Sequence, residues 1–226
     1  MSDSKASVIL SAENCTIERG GALLVNAISL SLATGKTTVI MGHNGAGKSL
    51  LLQMLHQLIT PIRGEIKTSE DSQQKMVFQR PVLLRRSALA HFSFVTGIKD
   101  TDEIASWFSY ANLTDKMSIF ARQLSGGEQQ KLAMISALAT KPDILFLDEP
   151  TANLDRESTF DIEQLIVKAR QNGTSIVLIS HSPQQARRLA DQVVFMHKGR
   201  IMDECTADAF FAGNRSAEAD LFLSER

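Results

Sequence analysis

The chain has 226 residues, 43% of them apolar, and a formal net charge of −1. That is enough apolar material for the core of one large α/β domain, and too much for a disordered chain. No strongly basic block is present, so nucleic acid is not expected as the main partner.

Met1 to Ser7 is polar and lacks the apolar centre of a signal peptide. No apolar stretch approaches the ~20 residues that cross a bilayer, so a cytosolic chain is expected, reaching a membrane only through a partner. Residues 8–18 contain a strand candidate, and the alternation of Ile28, Leu30 and Leu32 reads as a half-buried strand. With turns at Gly20-Gly21 and Thr34-Gly35, residues 7–34 are expected to form a small antiparallel β layer. Val39-Ile40-Met41 is a short apolar run, and Leu50 to Leu58 is helix-like. Residues 82–122 hold helix formers interrupted by Gly97 and Asn112, a pattern that fits a helical insertion. A helix over 128–139 would place Leu132, Ile135 and Ala139 on one face. The runs Ile144-Leu145-Phe146-Leu147 and Ile176-Val177-Leu178-Ile179 suit parallel strands buried on both faces, with helices on either side. Residues 193–205 read as a strand pair turning at Lys198-Gly199, and the last dozen residues as a short helix or a frayed tail. Cys15 and Cys205 are far apart and outside any CxxC pattern, so reduced thiols are expected rather than a disulfide or metal site.

Between the first apolar run and the helix lies Gly42-His43-Asn44-Gly45-Ala46-Gly47-Lys48-Ser49, a GxxxxGKS phosphate-binding loop with a strand before it and a helix after it. Glycines let backbone wrap closely around phosphate oxygens. The loop N–H groups and the positive helix end then face the anion. Lys48 would reach the β- and γ-phosphates and Ser49 would hold Mg²⁺. A second motif, Leu124-Ser125-Gly126-Gly127-Glu128-Gln129-Gln130, reads as a serine-capped helix start and a further anion site. Next, the strand Ile144–Leu147 delivers Asp148 and Glu149 at its C-terminal end, where ligands sit in α/β sheets. Ala152-Asn153-Leu154-Asp155 follows, with His181 after the next apolar run and Gln79 between the first two motifs.

The order GHNGAGKS, Gln79, LSGGEQQ, ILFLDEP, ANLD and His181 resembles the ATP-binding cassette (ABC) ATPase family over nearly the whole chain. The resemblance implies one P-loop NTPase domain, with a mainly parallel core sheet flanked by helices. To this it adds an antiparallel β subdomain at about 7–34 and an inserted helical subdomain at about 82–135 that carries LSGGE. It implies ATP and Mg²⁺ as ligands. Gly42, His43, Asn44, Gly45, Ala46, Gly47, Lys48, Ser49 and Leu50 would hold the nucleotide, and Ser49, Gln79 and Asp148 the metal. Glu149 would align the attacking water as general base, with Lys48, Gln79 and His181 completing the catalytic set. Ser125 and Gly127 would contact ATP held by a second copy in a head-to-tail homodimer, with Asp155 coupling the two sites. Such a division of labour suits phosphoryl transfer, which needs positioning and charge stabilisation more than covalent chemistry.

Some positions depart from the family pattern. Arg19 stands nearest the place of the usual adenine-stacking aromatic; its guanidinium could stack on a base or simply be solvated. Leu50 replaces a common threonine. Lys131 and Ser136 occupy positions that are often arginine.

No membrane segment is present, so the resemblance implies a separate permease, docking near Gln79–Ser87, at the cytoplasmic face of the membrane. Leu83, Leu84, Arg85 and Arg86 would either meet that permease or, for the leucines, fill the helical subdomain's own core. The QRPVLLRRS pattern, with a compact segment between the phosphate loop and Gln79, looks like the ATPases of tungstate-type oxyanion importers, which work with an extracytoplasmic solute-binding protein. Phosphate, molybdate or metal-ion import, a small exporter and a non-transport ATPase acting on a soluble partner remain alternatives.

Overall fold

The structure, a computed structural model, describes residues 7–225; most of the polar N-terminal stretch lies outside that range. The described residues form two sheets. β1 (Val8–Arg19) and β2 (Ala22–Ala33) pair antiparallel through the Gly20-Gly21 turn. A third strand, β4 (Arg63–Thr68), pairs with the other side of β1. β4 was not expected: RGEIKT is polar and mostly exposed, and only its pairing with β1 makes it a strand.

The second sheet has six strands in the order β5-β6-β7-β3-β8-β9. They are β3 (Thr37–Gly42), β5 (Gln74–Val77), β6 (Ile144–Asp148), β7 (Ser175–Ile179), β8 (Gln192–His197) and β9 (Arg200–Thr206). The first five run parallel, and β9 turns back antiparallel on β8 at Lys198-Gly199. β3, β6 and β7 are buried along their whole length, the expected condition of parallel strands covered on both faces.

The two faces of this sheet serve two cores. Ile40, Phe146, Val177 and Met196 face one cluster, shared with α1 (Lys48–Leu55) and the antiparallel sheet. Val39, Leu147, Leu178 and Phe195 face the other. That second core is closed by α5 (Arg156–Gln171), α6 (Pro183–Leu189), α7 (Ala207–Ala212) and α8 (Ala217–Ser224), and by the helical segment between β5 and β6. The segment comprises α2 (Ala88–Thr96), α3 (Thr101–Tyr110), two short 3₁₀ turns and α4 (Gly126–Leu138). Asn112 and Gly97 stand at helix ends with φ of 54° and 76°. Leu83 is 4% exposed and belongs to the core, which settles its open reading in favour of packing. Both cysteines are free. Among the described residues no helix is long and apolar enough to cross a membrane.

Candidate functional site

Because β3, β5, β6 and β7 are parallel, their C-terminal ends come out on one edge, and each leads into a motif residue. β3 runs into the phosphate loop, β5 into Gln79, β6 into Asp148 and Glu149, and β7 into His181. Four segments far apart in sequence are thereby gathered where α/β sheets bind ligands.

The loop's glycines answer to their surroundings. A Cβ on Gly42 (φ 143°) would lie 2.2 Å from the Met196 carbonyl oxygen, and one on Gly47 (φ 100°) 2.7 Å from that of Leu24. The loop is thus clamped between β8 and β2. Gly47 caps α1, so the N–H groups of Lys48, Ser49 and Leu50 stand at its open first turn. Leu50's side chain packs against the apolar cluster under the β layer, leaving its backbone N–H for an anion. Lys48 Nζ donates to the Gly42 and His43 carbonyls at 2.9 and 2.8 Å. It is 5% exposed and folded back onto the loop's own carbonyls. His43 faces away from that role, meeting Phe222 edge-on (centroids 5.1 Å apart) and Glu225 Oε2 at 3.3 Å. Asn44 and Gly45 are exposed and Ala46 buried.

Ser49 Oγ donates to Asp148 Oδ1 at 3.0 Å. Burial pushes the Asp148 carboxyl above its ordinary range, with the neighbouring Glu149 charge adding to the rise and the Ser49 hydrogen bond opposing it. A hydroxyl and a desolvated carboxylate side by side form a hard oxygen donor set that fits Mg²⁺. Ser49 and Asp148 would hold that ion, which would supply positive charge to offset that of the phosphates. Glu149 has φ 48°, a strained setting for a side-chain-bearing residue of a kind that gathers at functional sites. Its carboxylate meets His181 Nε2 at 2.5 Å and accepts from Gln79 Nε2 at 3.3 Å. The Glu149 carboxylate therefore stands at the centre of a Gln–Glu–His group, one residue beyond Asp148.

Ser125 and Gly127 are elsewhere, at the start of α4. Ser125 caps the helix in a reciprocal box with Glu128: its hydroxyl accepts from Glu128 N–H (3.3 Å), and its own N–H donates to Glu128 Oε2 (2.8 Å). Gly127 is pressed onto α5, where a Cβ would fall 2.2 Å from Ser158 Oγ. Asp155 caps α5 through the Ser158 N–H (2.7 Å) and hydroxyl (2.8 Å). The LSGGE motif and Asp155 thus adjoin at the α4–α5 contact, distinct from the phosphate loop's contacts with β2, β8 and Asp148. Lys131, a departure noted above, is 7% exposed and pairs with Asp161 at 2.9 Å, a second tie from α4 to α5. Ser136 turns back to the Leu132 carbonyl. Arg19 is exposed at the β1–β2 turn, next to the strand that clamps Gly47.

Two buried residues were given no role of their own in the sequence analysis. Gln130 ties α4 to the Phe78 carbonyl beside Gln79. Gln185 joins the segments after Glu149 and before His181. A Ser-x-x-Gln helix start at Ser182 was the available signal for the second.

The family model described as "ABC transporter" matches residues 25–152. The chain is 35% identical over 215 residues to the tungstate uptake system ATP-binding protein TupC of Peptoclostridium acidaminophilum, covering 89% of this chain and 99% of that protein. It is 33% identical to the phosphate import ATP-binding protein PstB of Aeropyrum pernix, covering 80% and 83%. Among solved structures, a dimeric ATP-binding cassette in a post-hydrolysis state with ADP and Pi superposes with a TM-score of 0.78 at 25% identity, covering 88% of this chain and 99% of that one.

Proposed function

The chain belongs to the ABC transporter family of ATP-hydrolysing subunits, and from that membership we propose that it powers a separate permease importing an oxyanion of the tungstate type. The observation that carries the reading is the edge where Lys48, Ser49 with Asp148, and Gln79–Glu149–His181 converge. There a triphosphate would be held through the loop amides and Lys48, and Glu149 would orient water toward its terminal phosphate. The 35% likeness to a tungstate uptake ATPase over nearly its whole length supports the cargo class; the phosphate import relative supports an oxyanion more broadly. The second half of each nucleotide site would come from Ser125 and Gly127 of a second copy, in a head-to-tail pair. An extracytoplasmic binding protein would present the cargo, and this chain would lie against the cytoplasmic face of the membrane.

The permease would meet the surface beside Gln79. Val82 is 82% exposed and Phe94 63% exposed, and Arg86 lies over the Phe94 ring at 4.8 Å. Together with Arg80 and Arg85, both exposed, they form an apolar patch with a basic rim, as interface cores and rims are built. A cavity of about 170 Å³ lined by Phe78, Pro81, Val82, His91 and Val95 opens into the same patch. Because Leu83 is internal, Val82 and Phe94 take its place as apolar contacts, beside the half-buried Leu84. Val82→Asp should abolish co-purification with the permease while leaving MgATP affinity unchanged, and the partner binding protein should bind tungstate above phosphate and sulfate. Retained co-purification would exclude this patch, and stronger phosphate binding would exclude tungstate.

A further inference from the structure

The Glu149–His181 contact is one link between the segment following β6 and the segment following β7. A second link, formed by Gln185 of α6, joins the same two segments. Gln185 is 3% exposed, and its amide is fully engaged. Nε2 donates to Thr151 Oγ1 and to Glu163 Oε1, each at 3.0 Å, while Oε1 accepts from Ser180 Oγ at 2.7 Å. Thr151 lies two residues beyond Glu149, and Ser180 immediately precedes His181. Glu163, on α5, is 5% exposed and is held by a two-pronged Arg188 contact: Nε to Oε2 at 3.0 Å and Nη2 to Oε1 at 2.7 Å.

We propose that Gln185 is a positioning residue for ATP hydrolysis: it fixes the spacing of the Glu149 and His181 segments, and it can do so only as an amide, because the Glu163 carboxylate faces it. The proposal rests on the ATPase reading and goes beyond it, since Gln185 contacts neither Glu149 nor His181 in the hydrogen bonds above. An amide offers both a donor for Glu163 and an acceptor for Ser180. A carboxylate in its place would set two buried negative charges together, which favours protonation of one of them. The charged groups around the amide are Glu163 from α5 and Arg188 from α6, with Glu149 and His181 along the chain from Thr151 and Ser180.

The test compares the full chain with Gln185→Glu, Glu163→Gln and the exchange variant carrying both changes, measuring kcat and KM for MgATP from about pH 5.5 to about pH 8.5. Gln185→Glu should lower kcat about tenfold at the alkaline end with KM within about twofold, and recover as the pH falls and a proton restores the donor. The exchange variant keeps one amide facing one carboxylate, so it should return kcat to within about threefold of the parent across the range. It also serves should the single variant fold poorly. A pH-independent loss in Gln185→Glu, or no recovery in the exchange variant, would overturn the proposal. Glu149→Gln, run alongside, should abolish turnover; that result upholds the ATPase reading whichever way Gln185 falls.

Discussion

Gly126 and Gly127 are neighbours in the first turn of α4, yet alanine should act on them with opposite signs. At Gly126 a new Cβ meets only Leu154 Cδ2 at 3.7 Å, an ordinary contact. Alanine there should leave stability unchanged or raise it by up to about 1 kcal/mol through helix propensity. At Gly127 the Cβ meets Ser158 Oγ at 2.2 Å and Ser158 Cβ at 2.7 Å. The hydroxyl can swing aside, but the Cβ can move only with the α5 backbone. Overpacking of this kind costs about 1–3 kcal/mol, so after a propensity gain of about 1 kcal/mol a net loss of up to about 2 kcal/mol remains. For a chain of this size that is a fall in Tm of up to about 8 °C. The assay is urea and thermal unfolding of both variants without nucleotide, completed by Ser158→Gly alone and with Gly127→Ala. The paired change should recover most of the loss, giving a coupling of at least about 1 kcal/mol. If Gly127→Ala matches Gly126→Ala within about 0.3 kcal/mol, the close seating of α4 on α5 is refuted.

Glu149→Gln should retain MgATP binding and accumulate a dimer in gel filtration with ATP; elution as monomer at saturating ATP would rule out composite sites. Asp148 carries a pH prediction. Its folded pKa is raised, so the ionised form costs stability above that pKa, and the cost is relieved as pH falls through it. Asp148→Asn should therefore melt at or above the parent in EDTA, yet lose the extra stabilisation that MgATP gives over ATP alone. In the parent, that Mg²⁺ increment should fade on acidification at a higher pH than an ordinary carboxylate near 3.9 would give. A variant less stable than the parent in EDTA would contradict the desolvation argument.

Much of the nucleotide edge was legible because it is written locally. Each of Lys48, Asp148 and His181 follows an apolar run that is buried on both faces, so one strand and one turn fix where it points. The cap at Ser125 was legible too, since Ser-x-x-Glu satisfies the helix end within four residues. Hidden features depend on partners distant in sequence. β4 is polar and becomes a strand only by adding to β1. Leu83 and Leu84 are adjacent leucines, and only tertiary packing sends Leu83 inside while Val82 is left in solvent. Gln185 looks like any surface glutamine of a short helix until Thr151, Ser180 and Glu163 close around it.

The central place of β3 has a consequence for biosynthesis. The strand that carries the phosphate loop emerges early, but its neighbours are β7 and β8: Thr37 pairs with Ile176 and Thr38 with Gln192. At ribosomal rates of about 5–20 residues per second, the 139 residues separating Thr37 from Ile176 take on the order of ten seconds to appear. Throughout that interval six residues destined for complete burial have both hydrogen-bonding edges open. Such an edge invites pairing with another chain. The nascent protein thus holds its nucleotide motif without the sheet that shapes it, and competence to bind ATP is gained only once β7 and β8 have emerged. Chaperone demand and temperature-sensitive yield should accordingly track mutations in β7 and β8 more than those in the phosphate loop itself.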